Sequence, residues 1–233
     1  MILVIFDVDG TLVHSERRDS AMFGRTYQEI YGRPFPSLDW SHFPHVTDDT
    51  MFRTAIRQHF QREITATEIP TFQERYMNYL RASRREQPEQ FMQIPGASNL
   101  IKRLLEDERF ELGIATGGWK APAQIKLGHV QVPHQRMVLT GADGKATREE
   151  ILEETRELSE SKGRSFNKVV YVGDAPWDVR TTRNLNWPFV GIRHRSDEQV
   201  LLDAGADIVL RDYQAYDTFV KAVAEAGPPR KIL

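Results

Sequence analysis

Hydrophobic and polar positions divide the chain into three stretches. Met1 to Phe6 is an unbroken apolar run rich in β-branched residues, closed by Asp7, Asp9 and Gly10. A run of that length suits a strand buried on both faces in the middle of a parallel sheet. Residues 14–92 carry only helical spacing. The first helix is predicted over 16–31, with Ser15 as its N-cap, Gly32 as its stop and Pro34 beyond. Gly32 to His45 holds Pro34, Pro36, Pro44, Trp40, His42 and His45 and reads as a long irregular loop. A second helix starts at Thr47 or Asp48, with Met51, Phe52, Ala55, Ile56 and Phe60 on one stripe. A third covers 67–85 with Phe72, Tyr76, Tyr79 and Leu80 as its apolar face, and Pro70 fits its first turn.

From Pro95-Gly96 onward the pattern alternates. Strands are predicted at 110–115, 137–139, 168–172, 189–192 and 208–210. Helices are predicted at 97–106, 119–127, 147–162, 176–185, 197–203 and 213–226, and the tail 227–231 is expected to fray. Strands alternating with helices imply a parallel sheet with right-handed crossovers. The expected fold is therefore α/β: a Rossmann-like parallel-sheet core, residues 1–13 and 93–233, with an inserted all-helical cap, residues 14–92. A helical block in that place is a candidate lid over the strand ends.

Composition narrows the classes. In 233 residues, 31 basic side chains balance 33 acidic ones, with no basic or acidic block to announce nucleic acid or a membrane surface. There is no cysteine, which removes disulfides, thiolate catalysis and cysteine-ligated zinc and fits a reducing compartment. The opening apolar run is too short for the core of a signal peptide. No stretch approaches the roughly eighteen apolar residues of a membrane helix. The expectation is a soluble, cytoplasmic enzyme with no nucleic-acid or membrane partner.

Chemistry is concentrated at predicted strand ends, where open α/β sheets place their sites. Asp7 and Asp9 leave the first strand together, and two acids so close repel unless a cation sits between them. That suggests a divalent metal site with a carboxylate able to attack. Thr116-Gly117-Gly118 offers a hydroxyl and free amides before a helix, an arrangement that binds anions. Gly173-Asp174-Ala175-Pro176-Trp177-Asp178 puts two more acids at a third strand end. Read singly, each has an ordinary alternative: strand-end acids capping a turn, a turn leading into a helix, acids stabilised by a helix dipole. A P-loop at Gly144-Lys145 fails, because it needs glycine at 139 and Ser or Thr at 146, where the chain has Leu139 and Ala146.

Asp7-Val8-Asp9-Gly10-Thr11 resembles the first motif of the haloacid dehalogenase-like hydrolases, in their phosphatase branch. Thr116 is similar to the second motif of that superfamily, and the Gly173–Asp178 stretch to its fourth. The resemblance implies a magnesium-dependent phosphatase acting on a small phosphorylated metabolite. In that scheme Asp7 is the nucleophile that becomes an aspartyl-phosphate, and Asp9 the general acid and base. Thr116 and Gly117 hold the phosphoryl group. Asp7, Asp9 (through its carbonyl), Asp174 and Asp178 form the Mg2+ site. The third motif wants a lysine, and Lys145 is the candidate, although the prolines that commonly follow it are absent and Arg148 lies three residues on. His14 stands where relatives often carry aspartate; with His42, His45 and Asp48 it is a candidate for touching substrate. Aspartate at position 9 argues against the dehalogenase and phosphonatase branches. A phosphomutase of the same superfamily would share these residues. A non-enzymatic phosphoaspartate receiver is disfavoured by the helical insertion.

Overall fold

The strand β1 (Ile2–Phe6) lies at the centre of the molecule, hydrogen-bonded on both sides. Its side chains alternate: Leu3 and Ile5 enter one apolar cluster and Val4 and Phe6 the other, all fully buried. This is why a strand covered on two faces shows no polar positions. The computed structural model describes residues 1–43, 45–161 and 163–231, without the side chains of Glu16 and Arg17. Pro44 of the predicted loop and Lys162 at the predicted end of a helix lie outside the described residues.

After β1 come β2 (Val13–His14), β3 (Met92–Gln93), β4 (Phe110–Ala115), β5 (Val138–Thr140), β6 (Lys168–Gly173), β7 (Phe189–Ile192) and β8 (Val209–Leu210). The main sheet has the order β5-β4-β1-β6-β7-β8 and is parallel throughout. Register carries the functional consequence. Phe6 pairs with Ile114 of β4 and with Val172 of β6, so Asp7, Thr116 and Asp174 leave the sheet at nearly one level.

The helices are α1 (Glu16–Tyr31), α2 (Asp48–Phe60), α3 (Glu68–Glu86), α4 (Ala97–Leu105), α5 (Lys120–His129), α6 (Arg148–Glu160), α7 (Pro176–Leu185), α8 (Gln199–Asp203) and α9 (Tyr216–Glu225). The first three, with the loop between α1 and α2, make the inserted helical segment. They enclose an aromatic cluster in which Phe23 and Phe72 ring centres lie 4.8 Å apart, and Phe52 and Phe72 4.9 Å. Trp119, just before α5, stacks on Phe23 within that cluster at 5.8 Å. The core of the segment is thus continuous with one face of the sheet. Phe35 and Phe43 anchor the proline-containing loop in it.

Three local expectations are revised. Where the chain enters and leaves the helical segment it forms a small antiparallel ribbon, Val13 paired with Gln93 and His14 with Met92; two-residue strands are too short to show periodicity. Ser15 does not cap α1 with its hydroxyl, which donates instead to Asp9. The tail through Arg230 is tied down rather than frayed. The Phe189 amide donates to the Gly227 carbonyl (3.1 Å), the Arg230 amide to the Gly205 carbonyl (2.8 Å), and the Arg230 guanidinium meets Asp207.

Candidate active site

Asp7 continues the central strand by one residue, its amide donating to the Val172 carbonyl at 2.9 Å. Its carboxylate is buried, and one oxygen accepts from Arg148 at 3.1 Å. The same guanidinium lies 2.8 Å from Asp178 Oδ1 and donates to the Tyr171 hydroxyl at 2.8 Å. Burial pushes the Asp7 carboxyl up, to about 7; Arg148 pulls it down, while Asp178 and Asp9 push it further up.

The chain builds this cluster by small local devices. Thr147 opens α6 with a reciprocal capping box: its hydroxyl accepts from the Glu150 amide and the Glu150 carboxylate accepts from the Thr147 amide. That cap makes Arg148 the first residue of α6 and aims it back under the strand ends. A side chain on Gly117 would collide with the Arg148 guanidinium and the Val46 carbonyl. Gly10 is required twice, by its φ of +79° and because a Cβ there would overlap the Asp174 carboxylate. Asp178 uses Oδ2 to accept from the amides of Asp174 (3.1 Å) and Ala175 (3.0 Å), which fixes the turn carrying Asp174.

Asp9, two residues beyond Asp7, faces a different set of groups. It accepts from Ser15 and is paired with Lys126 of α5, whose ammonium also meets Asp19 of α1 at 3.0 Å. Lys126 is almost wholly buried. Burial alone would lower its pKa, but Asp19 and Asp9 on either side hold it above the ordinary lysine value. Asp19 also accepts from the Tyr76 hydroxyl of α3. Asp48, at the start of α2, accepts from the Trp119 amide at 2.9 Å, and its carboxyl is pushed up to about 8 by burial and by Asp19.

Asp7, Asp9, Thr116, Gly117, Asp174, Asp48 and Arg148 line one cleft of about 510 Å³ between the strand ends and the helical segment. Thr116 Oγ1 accepts from the Gly118 amide at 3.1 Å. Carboxylate oxygens of Asp7, Asp174 and Asp178 lie within 4.8 Å of one another. The Asp9 carboxylate is not in that group, being drawn to Ser15 and Lys126, and both oxygens of Asp178 are already engaged.

Several expected contributors are placed elsewhere. Lys145 does not reach Asp7; it pairs with Glu154 at 3.1 Å, because the capping box starts α6 three residues later and leaves Lys145 outside the turn. His42 is exposed beside Asp39 (3.5 Å), and His45 is exposed; neither lines the cleft. Their loop turns Leu38, Trp40 and Val46 toward the cleft instead. His14 lines a small side cavity with Gly10 and Asp174, its Nε2 3.4 Å from Arg195. Sequence reasoning missed Asp19, Lys126 and Arg193, the last donating to the Asp174 carbonyl at 2.9 Å. Each is an unremarked charged residue in the sequence, and no spacing signals its role.

Residues 4–192 match the family described as haloacid dehalogenase-like hydrolase. Among solved structures, a hydrolase from Pseudomonas syringae is 20% identical with a TM-score of 0.68, the alignment covering 96% of this chain and 99% of that one. A candidate phosphoglycolate phosphatase from Lactobacillus delbrueckii is 18% identical, with a TM-score of 0.60 and coverage of 95% and 97%. A candidate β-phosphoglucomutase from Thermotoga maritima is 19% identical, with a TM-score of 0.59 and coverage of 95% and 99%. At such identities the likeness establishes the fold. No curated protein matches the sequence.

Proposed function

The chain belongs to the haloacid dehalogenase-like hydrolases, and from that membership and its strand-end geometry we propose that it is a magnesium-dependent phosphatase of a small phosphate monoester. The observation that carries the reading is the buried Asp7 carboxylate held at 3.1 Å by Arg148 beside Thr116, at the end of the central strand. The donor set near it is all carboxylate oxygen, which suits a hard divalent cation. Asp7 and Asp174 would hold it, while Asp178 orients the turn and Arg148. Such a cation, when bound, offsets the charge that a phosphoryl group brings into an acidic cleft.

The residues divide the reaction as follows. Thr116 and Gly117 position the phosphoryl oxygens. The Asp7 carboxylate attacks phosphorus, the ester P–O bond breaks, and Asp9 gives its proton to the departing alkoxide. Asp9 then takes a proton from a water that attacks the aspartyl-phosphate. The bond from phosphorus to Asp7 breaks, inorganic phosphate leaves, and the carboxylate is restored. Arg148 takes the place in this scheme that Lys145 was expected to fill. The helical segment, residues 14–92, acts as a cap that limits water and contacts the leaving alcohol.

Turnover of 4-nitrophenyl phosphate, followed with and without magnesium, tests the reading. Phosphate release should stop with a chelator and return with excess magnesium. Borohydride quenching during turnover should convert Asp7 to homoserine, read by peptide mass. Full activity in chelator, or trapping at another residue, would overturn the assignment.

A further inference from the structure

We infer that the alcohol half of the substrate carries a flat, largely apolar ring; this rests on the phosphatase reading above and names its substrate class. The cleft is lined by two unlike sets of residues. Asp7, Thr116 and Arg148 are the set that takes the phosphoryl group. A monoester held there projects its alcohol toward Leu38, Trp40, Met51, Trp177 and Val200, which line the same cleft. Leu38 is 47% exposed and Val200 41%, so two of the few large apolar side chains left open to solvent among the described residues line this one space. Trp40 and Trp177, both half-buried, add aromatic surface to the same lining.

The polar groups on those walls each have a partner within the protein. Asp19 is taken by Lys126 and Tyr76, Asp48 by the Trp119 amide, and Arg193 by Asp197 and the Asp174 carbonyl. Ser20 and Arg195, which also line the cleft, have partners within the protein. A polyol entering here would give up water for a mostly apolar surface, whereas a ring would cover the exposed side chains. The volume, about 510 Å³, accepts a ring-bearing monoester.

The test compares two esters of unactivated primary alcohols, 2-phenylethyl phosphate and glycerol 3-phosphate, so that leaving-group reactivity does not decide the result. The ratio of kcat/KM should favour the phenylethyl ester by about tenfold or more, mostly through KM. Leu38→Ser combined with Val200→Ser changes two exposed positions and should retain the fold; it should lower that ratio about fivefold. Trp40→Ala should lower it further, with a melting curve to establish that the variant is folded. A ratio at or below one, or a ratio unmoved by the Leu38/Val200 pair, overturns the inference alone. If neither ester nor 4-nitrophenyl phosphate releases phosphate, the phosphatase reading fails and this inference falls with it.

Discussion

Two buried cations in this molecule each bridge two carboxylates, and their settings differ. Arg148 joins Asp7, just past the end of β1, to Asp178, in the first turn of α7 that follows the adjacent strand β6. Lys126 joins Asp9 to Asp19, and these come from the turn after β1 and from the inserted helix α1. Arginine presents a planar fork that fixes two partners in a set geometry, whereas lysine is a point charge on a flexible stem. The first cluster therefore holds a rigid arrangement between the central strand and the helices α6 and α7 of the core. The second is a junction between the helical segment and the residue proposed to move the proton. Asp7 and Asp9, two positions apart, are each tied to a different one.

The largest effect should come from the first cluster. Asp7→Asn removes the nucleophile and should cut turnover on the order of 10⁴-fold or more. Its melting temperature should equal or exceed that of the parent, because the amide needs no charge in a site that resists one and Arg148 keeps Asp178. Substantial residual turnover by a folded variant would remove Asp7 from its role.

The two cations can then be set against each other. Arg148→Met strands two carboxylates and should cost about 3–5 kcal/mol of stability, together with nearly all turnover. Arg148→Lys restores charge without the fork and should recover stability better than rate. Lys126→Met should lose a similar amount of stability, yet keep more activity toward an activated aryl phosphate, which needs little help from Asp9. Adding Asp19→Asn to Lys126→Met should return part of the loss, a coupling of about 1–3 kcal/mol in a double-mutant cycle. Equal loss of aryl phosphate turnover in both methionine variants would erase the distinction between the clusters.

The first cluster was largely legible in the sequence and the second was not. Asp7, Thr116, Asp174 and Asp178 are marked by apolar strands that end in glycine-containing turns, so periodicity and turn chemistry place them together. Lys145 misled because the sequence shows a lysine in a glycine turn but not where the capping box will start the next helix. Lys126 and Asp19 lie inside helices, where a charged side chain ordinarily faces water. Only the docking of α1 on α3 and of α3 on α5 covers them, and that docking depends on Trp119 entering an aromatic cluster assembled from distant residues. His42 and His45 drew notice by type, whereas the same loop's contribution is apolar.

The second cluster can also be tested through pH. Asp48 lies near Asp19 and Lys126, with its carboxyl held at about 8 against an ordinary 3.8. Between those values the folded protein keeps a proton that the unfolded chain has released. Stability contributed by Asp48 is therefore full below about pH 4 and falls as pH rises toward 8, with a limiting slope of about 1.4 kcal/mol per unit. Asp48→Asn keeps an acceptor for the Trp119 amide and removes that titration. Its melting temperature should fall less than the parent's between pH 5 and pH 8. Some decline should persist, because the Asp19 carboxyl is also held up, mainly by burial, and remains in the variant. Parallel curves for the two proteins would mean that Asp48 is ionised in the fold, with Lys126 neutralising more of the cluster than its two direct contacts suggest.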